Sequence, residues 1–352
     1  MAKRSGSSRV TIRDVARVAG VGVATVSRVL NGDPAVAAAT RERVHAVMAQ
    51  LGYQPLRTAR ALSRRRTDAL LVVLPLLTRF FYVEILRGIE EALLETNYAF
   101  ILRTLERPAD GSRAIASVRR DLVDGALLVS MAVTPVWLAR LERERLPAVV
   151  ADADPAVPLS RIVVDHAEGA RLAVTHLARL GHQRIAVIDR PDDPFAEKRI
   201  SRRLLGYRQA LQELGLELRA EYERVTPFSV EGGITGLHSL MQLPVPPTAI
   251  FVGSDTQAWG VLRAARQLGL DVPRDLAVVG YHDIEIAELL GLTTVRVPMR
   301  AIGRRAAQLL LEHLSGRLAP GELAVEWVTP ELVVRRSCGA QGTDAGVESA
   351  SE

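Results

Sequence analysis

The stretch Val10–Tyr53, VTIRDVARVAGVGVATVSRVLNGDPAVAAATRERVHAVMAQLGY, decides how the front of this chain folds. Thr11-Ile12-Arg13-Asp14 has the form of a capping box, a Thr oxygen for the exposed amides and an acid three residues on. Ile12, Val15, Ala16 and Ala19 recur at helical spacing, and Gly20 can take the left-handed conformation of a helix stop. A second short helix is predicted over 23–30, with Val26, Val29 and Leu30 facing inward. Asn31-Gly32-Asp33-Pro34 reads as a turn. A third helix is predicted over 38–51, carrying Val44, Val47, Met48 and Leu51 and stopping at Gly52.

Two short helices separated by Gly20-Val21-Gly22 make a helix-turn-helix, whose second helix enters the DNA major groove with its first turns facing base edges. The outward positions there are Val23, Ala24, Thr25, Ser27 and Arg28. Arg28 can give two parallel hydrogen bonds to guanine, whereas Val23 and Ala24 offer only apolar contact, such as with a thymine methyl. Thr11, Thr25 and Ser27 suit phosphate oxygens. An ordinary basic three-helix bundle would share the spacing.

The charge agrees with a polyanion partner. Residues 1–67 hold 13 basic and 3 acidic side chains, so a net charge of +5 divides into +10 on this front piece and −5 on the remainder. A basic head on a mildly acidic body points to nucleic acid. With 352 residues, 48% of them hydrophobic and 24% charged, the composition is globular and allows two domains with a small third piece. The longest apolar run, 69–77, is half a membrane span. No apolar segment follows MAKRSGSSRV as in a signal peptide. A single cysteine, Cys338, excludes an internal disulfide framework and fits a reducing compartment. The expectation is a soluble cytoplasmic protein.

From Leu70 onward, apolar strand-like runs alternate with helical stretches. The runs are 70–74, 99–102, 126–130, 148–151, 161–165, 184–189, 249–253, 276–280 and 293–297. The clearest helices lie over 83–95, 168–180, 200–214, 257–268 and 300–314. Continuous apolar strands with helical crossovers predict parallel sheets covered on both faces, and so many strands favour two lobes. Ligands in such sheets sit beyond the carboxyl ends of the strands, which makes the interlobe cleft the expected pocket.

The run TVSRVLN, with LGYQP downstream, resembles the head of the LacI/GalR family of bacterial repressors, and the resemblance continues to about Arg336. It implies an N-terminal all-α helix-turn-helix DNA-binding domain plus an α/β periplasmic-binding-protein-like core of two Rossmann-like lobes. The implied boundaries are a head over 1–54, a hinge helix or linker over 55–67, a core over 68–338 with crossings near 164, 295 and 326, and a disordered tail over 339–352. The DNA-binding set it implies is Thr11, Val23, Ala24, Thr25, Ser27, Arg28, Asn31, Tyr53, Arg60 and Leu62. In the family the hinge folds only on DNA, and its leucine, by motif position Leu62, wedges into a minor-groove base step. A plain flexible linker is the alternative. Gly22 and Ala37 stand where the family has serine caps, and Leu56 where it has asparagine.

Motif position likewise implies an effector-binding set of Arg79, Phe81, Asp165, Arg203, Phe228, Asp255 and His282. Each has a duller alternative: Arg203 a surface ion pair, Asp255 a helix cap, His282 a hydrogen-bonded core histidine, Phe81 core packing. The family's acid after the first strand is Leu76 here, its asparagine is Arg79, and its ligand aspartate is His282. Those changes favour a more apolar or anionic ligand than a simple sugar. No G-x-S-x-G elbow, phosphate loop or H-E-x-x-H helix occurs, so no catalytic residue, metal or cofactor is expected.

The resemblance thus implies a repressor, not an enzyme. As a homodimer it would hold a pseudo-palindromic double-stranded operator, and a small-molecule effector, a sugar or related metabolite, would control it. Dimer contacts are expected around helices at 84–94 and 115–122, and the tail lacks a leucine heptad for tetramers. The other readings are a solute-binding protein sharing the core, disfavoured by the helix-turn-helix, and an α/β enzyme.

Overall fold

Helix α1 spans Ile12–Ala19, α2 Val23–Leu30 and α3 Ala38–Leu51, and each owes its limits to local chemistry. At the start of α1 the Asp14 carboxylate accepts the Thr11 N–H at 3.0 Å and the Thr11 hydroxyl at 2.7 Å. Gly20 (φ 65°) and Gly52 (φ 60°) close α1 and α3 in the left-handed conformation that a Cβ disfavours. Ala37 precedes α3 and contributes no side-chain cap. Val15, Val26 and Val44 are fully buried where the three helices meet. Burying a valine side chain stabilises by about 1.5–3 kcal/mol, which gives so small a unit its core. The computed structural model describes residues 10–30, 32–53, 66–75, 77, 79–107, 110–191, 201–319 and 321–340. Asn31, Arg60 and Leu62, and with the last two the hinge residues 55–65, lie outside the described residues.

The body contains two six-stranded sheets. The first is built from β1 (Ala69–Pro75), β2 (Ala99–Leu105), β3 (Gly125–Val129), β4 (Ala148–Ala151), β5 (Ser160–Val164) and β11 (Val325–Val328), in the order β11-β5-β4-β3-β1-β2. The second holds β6 (Ile185–Asp189), β7 (Glu223–Val225), β8 (Ala249–Val252), β9 (Ala277–His282), β10 (Thr293–Arg296) and β12 (Glu331–Val333), in the order β12-β10-β9-β8-β6-β7. Adjacent strands run parallel except β10 and β12. The chain passes between the sheets after β5, after β10 and after β11.

The helices explain the continuous apolar strands. They are α4 (Phe80–Leu93), α5 (Asp110–Ala116), α6 (Pro135–Glu144), α7 (His166–Arg179), α8 (Arg202–Glu213), α9 (Val230–Met241), α10 (Asp255–Gln267), α11 (Glu285–Leu289) and α12 (Met299–Ser315). Leu70, Val72 and Leu74 of β1 pack with Ile85, Ile89 and Ile302 of α4 and α12, while Leu71 and Val73 face Ala114, Trp137 and Leu141 of α5 and α6. Both faces are therefore dry, as parallel sheets require. The α4–α12 contact is unusually close. A Cβ on Gly88 would lie 1.9 Å from the Arg300 carbonyl oxygen, and one on Gly303 would lie 2.1 Å from that of Ile85. Arg300 and Arg304 both grip Glu91 across the same seam.

The body departs from expectation in one helix. The stretch 115–122 is not helical throughout: α5 stops at Ala116, and 117–122 runs through turns that place Val118 and Val123 in the core. The smaller elements α6, α9, β7, β11 and β12 also went unanticipated. Among the described residues no helix is long and apolar enough to cross a membrane.

Candidate functional site

Helix α2 presents its first turn outward because Val26 and Val29 are spent on the head core. Val23, Ala24 and Arg28 are exposed, with Val23 at 43%, and Thr25 and Ser27 are half-buried. Thr11 is exposed at the start of α1. Tyr53 is half-buried and packs on the head core, its N–H donating to the Met48 carbonyl at 2.9 Å. The described part of the predicted DNA set is thus one helix face, Thr11 beside it, and a tyrosine anchored beneath.

A second site lies between the lobes, a cavity of about 130 Å³. Its walls come from the ends of strands, where sheet hydrogen bonding stops and side chains are free to converge. Arg79, Phe81, Arg203, Phe228 and His282 all line it. Phe81 of the first lobe stacks on His282 of the second, with centroids 4.8 Å apart and planes 12° from parallel. The edge of Phe228 meets His282 at 6.4 Å. The guanidinium carbons of Arg79 and Arg203 each stand 5.2 Å from the Phe228 centroid, a cation–π distance. His282 has φ 101°, a conformation that side chains rarely adopt, and the next residue, Asp283, has φ 56°. The strain is held by Arg296 and Arg335, each 2.8 Å from the Asp283 carboxylate. Burial, then the neighbouring Arg203, pushes the His282 pKa well below the usual imidazole value, so the ring is neutral.

Two predicted effector residues do not line the cleft. Asp165 caps α7, its Oδ1 accepting the Glu168 N–H at 3.0 Å. Asp255 is wholly buried behind the wall, where the Ile284 N–H donates to its Oδ2 at 2.9 Å and the Thr294 hydroxyl lies 2.5 Å from Oδ1. Burial pushes its pKa up to about 7. Aspartate at a strand-to-helix turn serves equally as ligand or as strut, and the sequence pattern is the same for both.

Other cleft residues were not anticipated. Ser130 and Asp152 follow β3 and β4, Arg190 follows β6, and Asp154, His166 and Arg202 stand beside them. The signal available was position, the first polar residue beyond an apolar strand. The Ser130 hydroxyl donates to Asp152 Oδ2 at 2.7 Å. His166 lies between the lobes, its Nε2 2.9 Å from Asp152 Oδ1 and its Nδ1 2.9 Å from the Tyr281 hydroxyl. Burial opposes charge on Asp152, but the His166 ring and the two hydrogen bonds outweigh it and hold the carboxyl well below the usual range. Arg202 adds an ion pair across the cleft to Asp154 at 3.2 Å.

Comparison with known proteins bears on both sites. The model described as "Bacterial regulatory proteins, lacI family" matches residues 11–55, and that of a "Periplasmic binding protein-like domain" matches 174–338. The chain is 35% identical to the HTH-type transcriptional regulator CelR of Thermobifida fusca, over 94% of this chain and 98% of that protein. It is 34% identical to the ribose operon repressor of Escherichia coli (strain K12), over 87% and 93%. Among solved structures, the lac repressor dimer bound to operator and the anti-inducer ONPF superposes with a TM-score of 0.82 at 29% identity, covering 94% of this chain and 99% of that one. The CelR–cellobiose complex gives a TM-score of 0.69 at 32% identity, covering 94% and 100%.

Proposed function

Because this chain belongs to the LacI family of bacterial regulatory proteins, we propose that it is a transcriptional repressor whose grip on an operator is set by a small molecule in the interlobe cleft. The observation that carries this is the coexistence of an exposed, basic helix-turn-helix with a cleft whose closing contacts join two separate lobes. Its relatives are transcriptional regulators, so the chemistry is recognition and coupling. The site of action is the cytoplasm, where the operator is, in line with the lone cysteine.

In the head, Arg28 reads guanine while Val23 and Ala24 press on base edges, and Thr11, Thr25 and Ser27 meet phosphates. Two copies related by a two-fold axis read two half-sites. On α4, exposed Phe80 (61%) and Val83 (38%) adjoin Trp259 (40%) of α10, and this apolar strip supplies the contact between copies. Arg60 and Leu62 of the hinge take the minor groove, Leu62 as the wedge.

In the cleft, four contacts span the lobes: Phe81 on His282, Arg79 on Phe228, Asp152 on His166 and Asp154 on Arg202. A ligand that binds between them favours one lobe arrangement over the other by its differential affinity, and no more. The lobe nearest the DNA then decides whether two hinges can pair. Footprinting at low ionic strength on genomic fragments, followed by titration of candidate metabolites, tests both halves. A protected two-fold sequence whose occupancy changes with a cleft ligand is expected. A chain that protects no fragment is not a repressor.

A further inference from the structure

The chain enters the core through a short anchor. Residues 66–68 lie just before β1, and three separate elements hold them. The Asp124 carboxylate, one residue before β3, accepts the Thr67 N–H at 2.8 Å on Oδ1 and the Asp68 N–H at 2.9 Å on Oδ2. Asp124 is itself fixed, its N–H donating to the Ala69 carbonyl at 2.8 Å. The Ala99 N–H, at the start of β2, donates to the Asp68 carbonyl at 3.0 Å. Arg66 Nη2 donates to the Leu314 carbonyl at 3.1 Å, in the last turn of α12.

These ties exceed what starting a strand requires, since β1 already has its ladders to β2 and β3. The bonds to Asp124 are charge-assisted, and two adjacent backbone amides share the one carboxylate, so direction is fixed as well as position. Asp68, at φ 50°, turns the chain sharply there. The Leu314 carbonyl is one of the acceptors that a helix end leaves over, because the Leu318 N–H donates to Glu312 instead. A guanidinium suits that negative end of the helix dipole. α12 is in turn locked to α4 by the close contacts at Gly88 and Gly303 and by Glu91, which makes the attachment firm. The Thr67 hydroxyl is buried with no hydrogen-bond partner among the described residues, so the polar ties of Thr67 are those of its backbone.

We infer that Asp124 and Arg66 are positioning residues for operator binding: they fix the point and direction at which the linker leaves the core, and with them the separation of the half-sites that two heads can grip. The inference rests on the reading of this chain as a two-fold repressor and deepens it. Each base pair added between half-sites moves them about 3.4 Å apart and turns one about the duplex axis by about 35°, so a loosened anchor accepts spacings that a firm one rejects. Electrostatics alone predicts the opposite effect at Asp124, because removing an acid helps a protein bind a polyanion.

The test uses the full chain, the operator found by footprinting, that operator with one base pair inserted or removed at its centre, and a non-specific duplex. Asp124→Ala should lose about tenfold in operator affinity and most of the preference for the original spacing, while non-specific affinity holds or rises. Asp124→Asn, which removes the same charge but keeps an acceptor oxygen, should fall between it and the parent. Arg66→Ala should lose about threefold, with an unchanged slope of log K against log salt. A slope smaller by about one per copy makes Arg66 a phosphate contact and overturns its part. Thr67→Val keeps every tie and should match the parent. Should Asp124→Ala melt too low to study, Asp124→Asn and Arg66→Ala carry the comparison. Equal losses on operator and non-specific duplex, an unchanged spacing preference, or the same damage from Thr67→Val overturns the inference. A parent that protects no fragment fails the repressor reading and the anchor role with it. A parent that binds while its variants behave identically fails the anchor role alone.

Discussion

Replacing Asp255 by asparagine should flatten the dependence of stability on pH on the acid side of neutrality. The carboxyl is fully buried, its hydrogen-bond partners are Thr294 and the Ile284 N–H, and burial raises its pKa from 3.8 to about 7. A raised folded pKa means that the folded chain holds a proton which the unfolded chain has released. The associated stability is fully present below pH 3.8 and is lost as pH rises through about 7. Each tenfold change in protonation is worth about 1.4 kcal/mol, so the parent should lose about 2–3 kcal/mol between about pH 5 and about pH 8 from this one group. Asparagine keeps the shape and an acceptor oxygen but has no proton to release. Urea unfolding of both proteins at the two pH values, compared as the difference between them, isolates this contribution from every other titrating group. Parallel losses in the two proteins would refute the buried-strut account. So would a direct loss of ligand affinity in the variant with unchanged stability, which would return Asp255 to the cleft wall.

Three further outcomes are expected. Arg28→Ala should relax base preference by about 1–3 kcal/mol at one position of each half-site, read by binding-site selection; an unchanged consensus removes Arg28 as a reader. Leu62→Ala should weaken operator binding by a few kcal/mol while sparing non-specific DNA, measured by titration on both substrates, and equal losses on the two would end the wedge role. Gly88→Ala should destabilise the core by about 3 kcal/mol, because its Cβ would meet the Arg300 carbonyl oxygen at 1.9 Å, whereas Gly111→Ala, with nothing within 4 Å, should be neutral or mildly stabilising in the same denaturation assay.

How much of the site was legible varies with the kind of signal. Arg28 and Val23 could be placed because a helix-turn-helix is local: once Val26 and Val29 are buried, geometry alone turns their neighbours outward. Arg203 and Phe228 could be named from motif position, and both line the cleft. Asp165 and Asp255 stand outside the cleft lining, because an acid at a strand end has two uses, and for Asp255 the choice depends on what a distant segment donates to it. For Asp255 that segment holds Ile284 and Thr294. The helix expected over 115–122 failed for a similar reason. Val118 and Val123 are drawn into the core by packing against α6, which local periodicity does not report.

The sequence by itself determined the division into a basic head and an α/β body, the three helices of the head with their caps, and the alternation of apolar strands and helices. Each rests on interactions within a few residues or on composition summed over a segment, which survive any arrangement of the rest. Only the tertiary structure decided which side chains share the cleft. Arg79 precedes α4, Arg190 follows β6, Arg203 lies in α8 and Phe228 precedes α9, and their convergence depends on distances of a few ångströms that no spacing along the chain encodes.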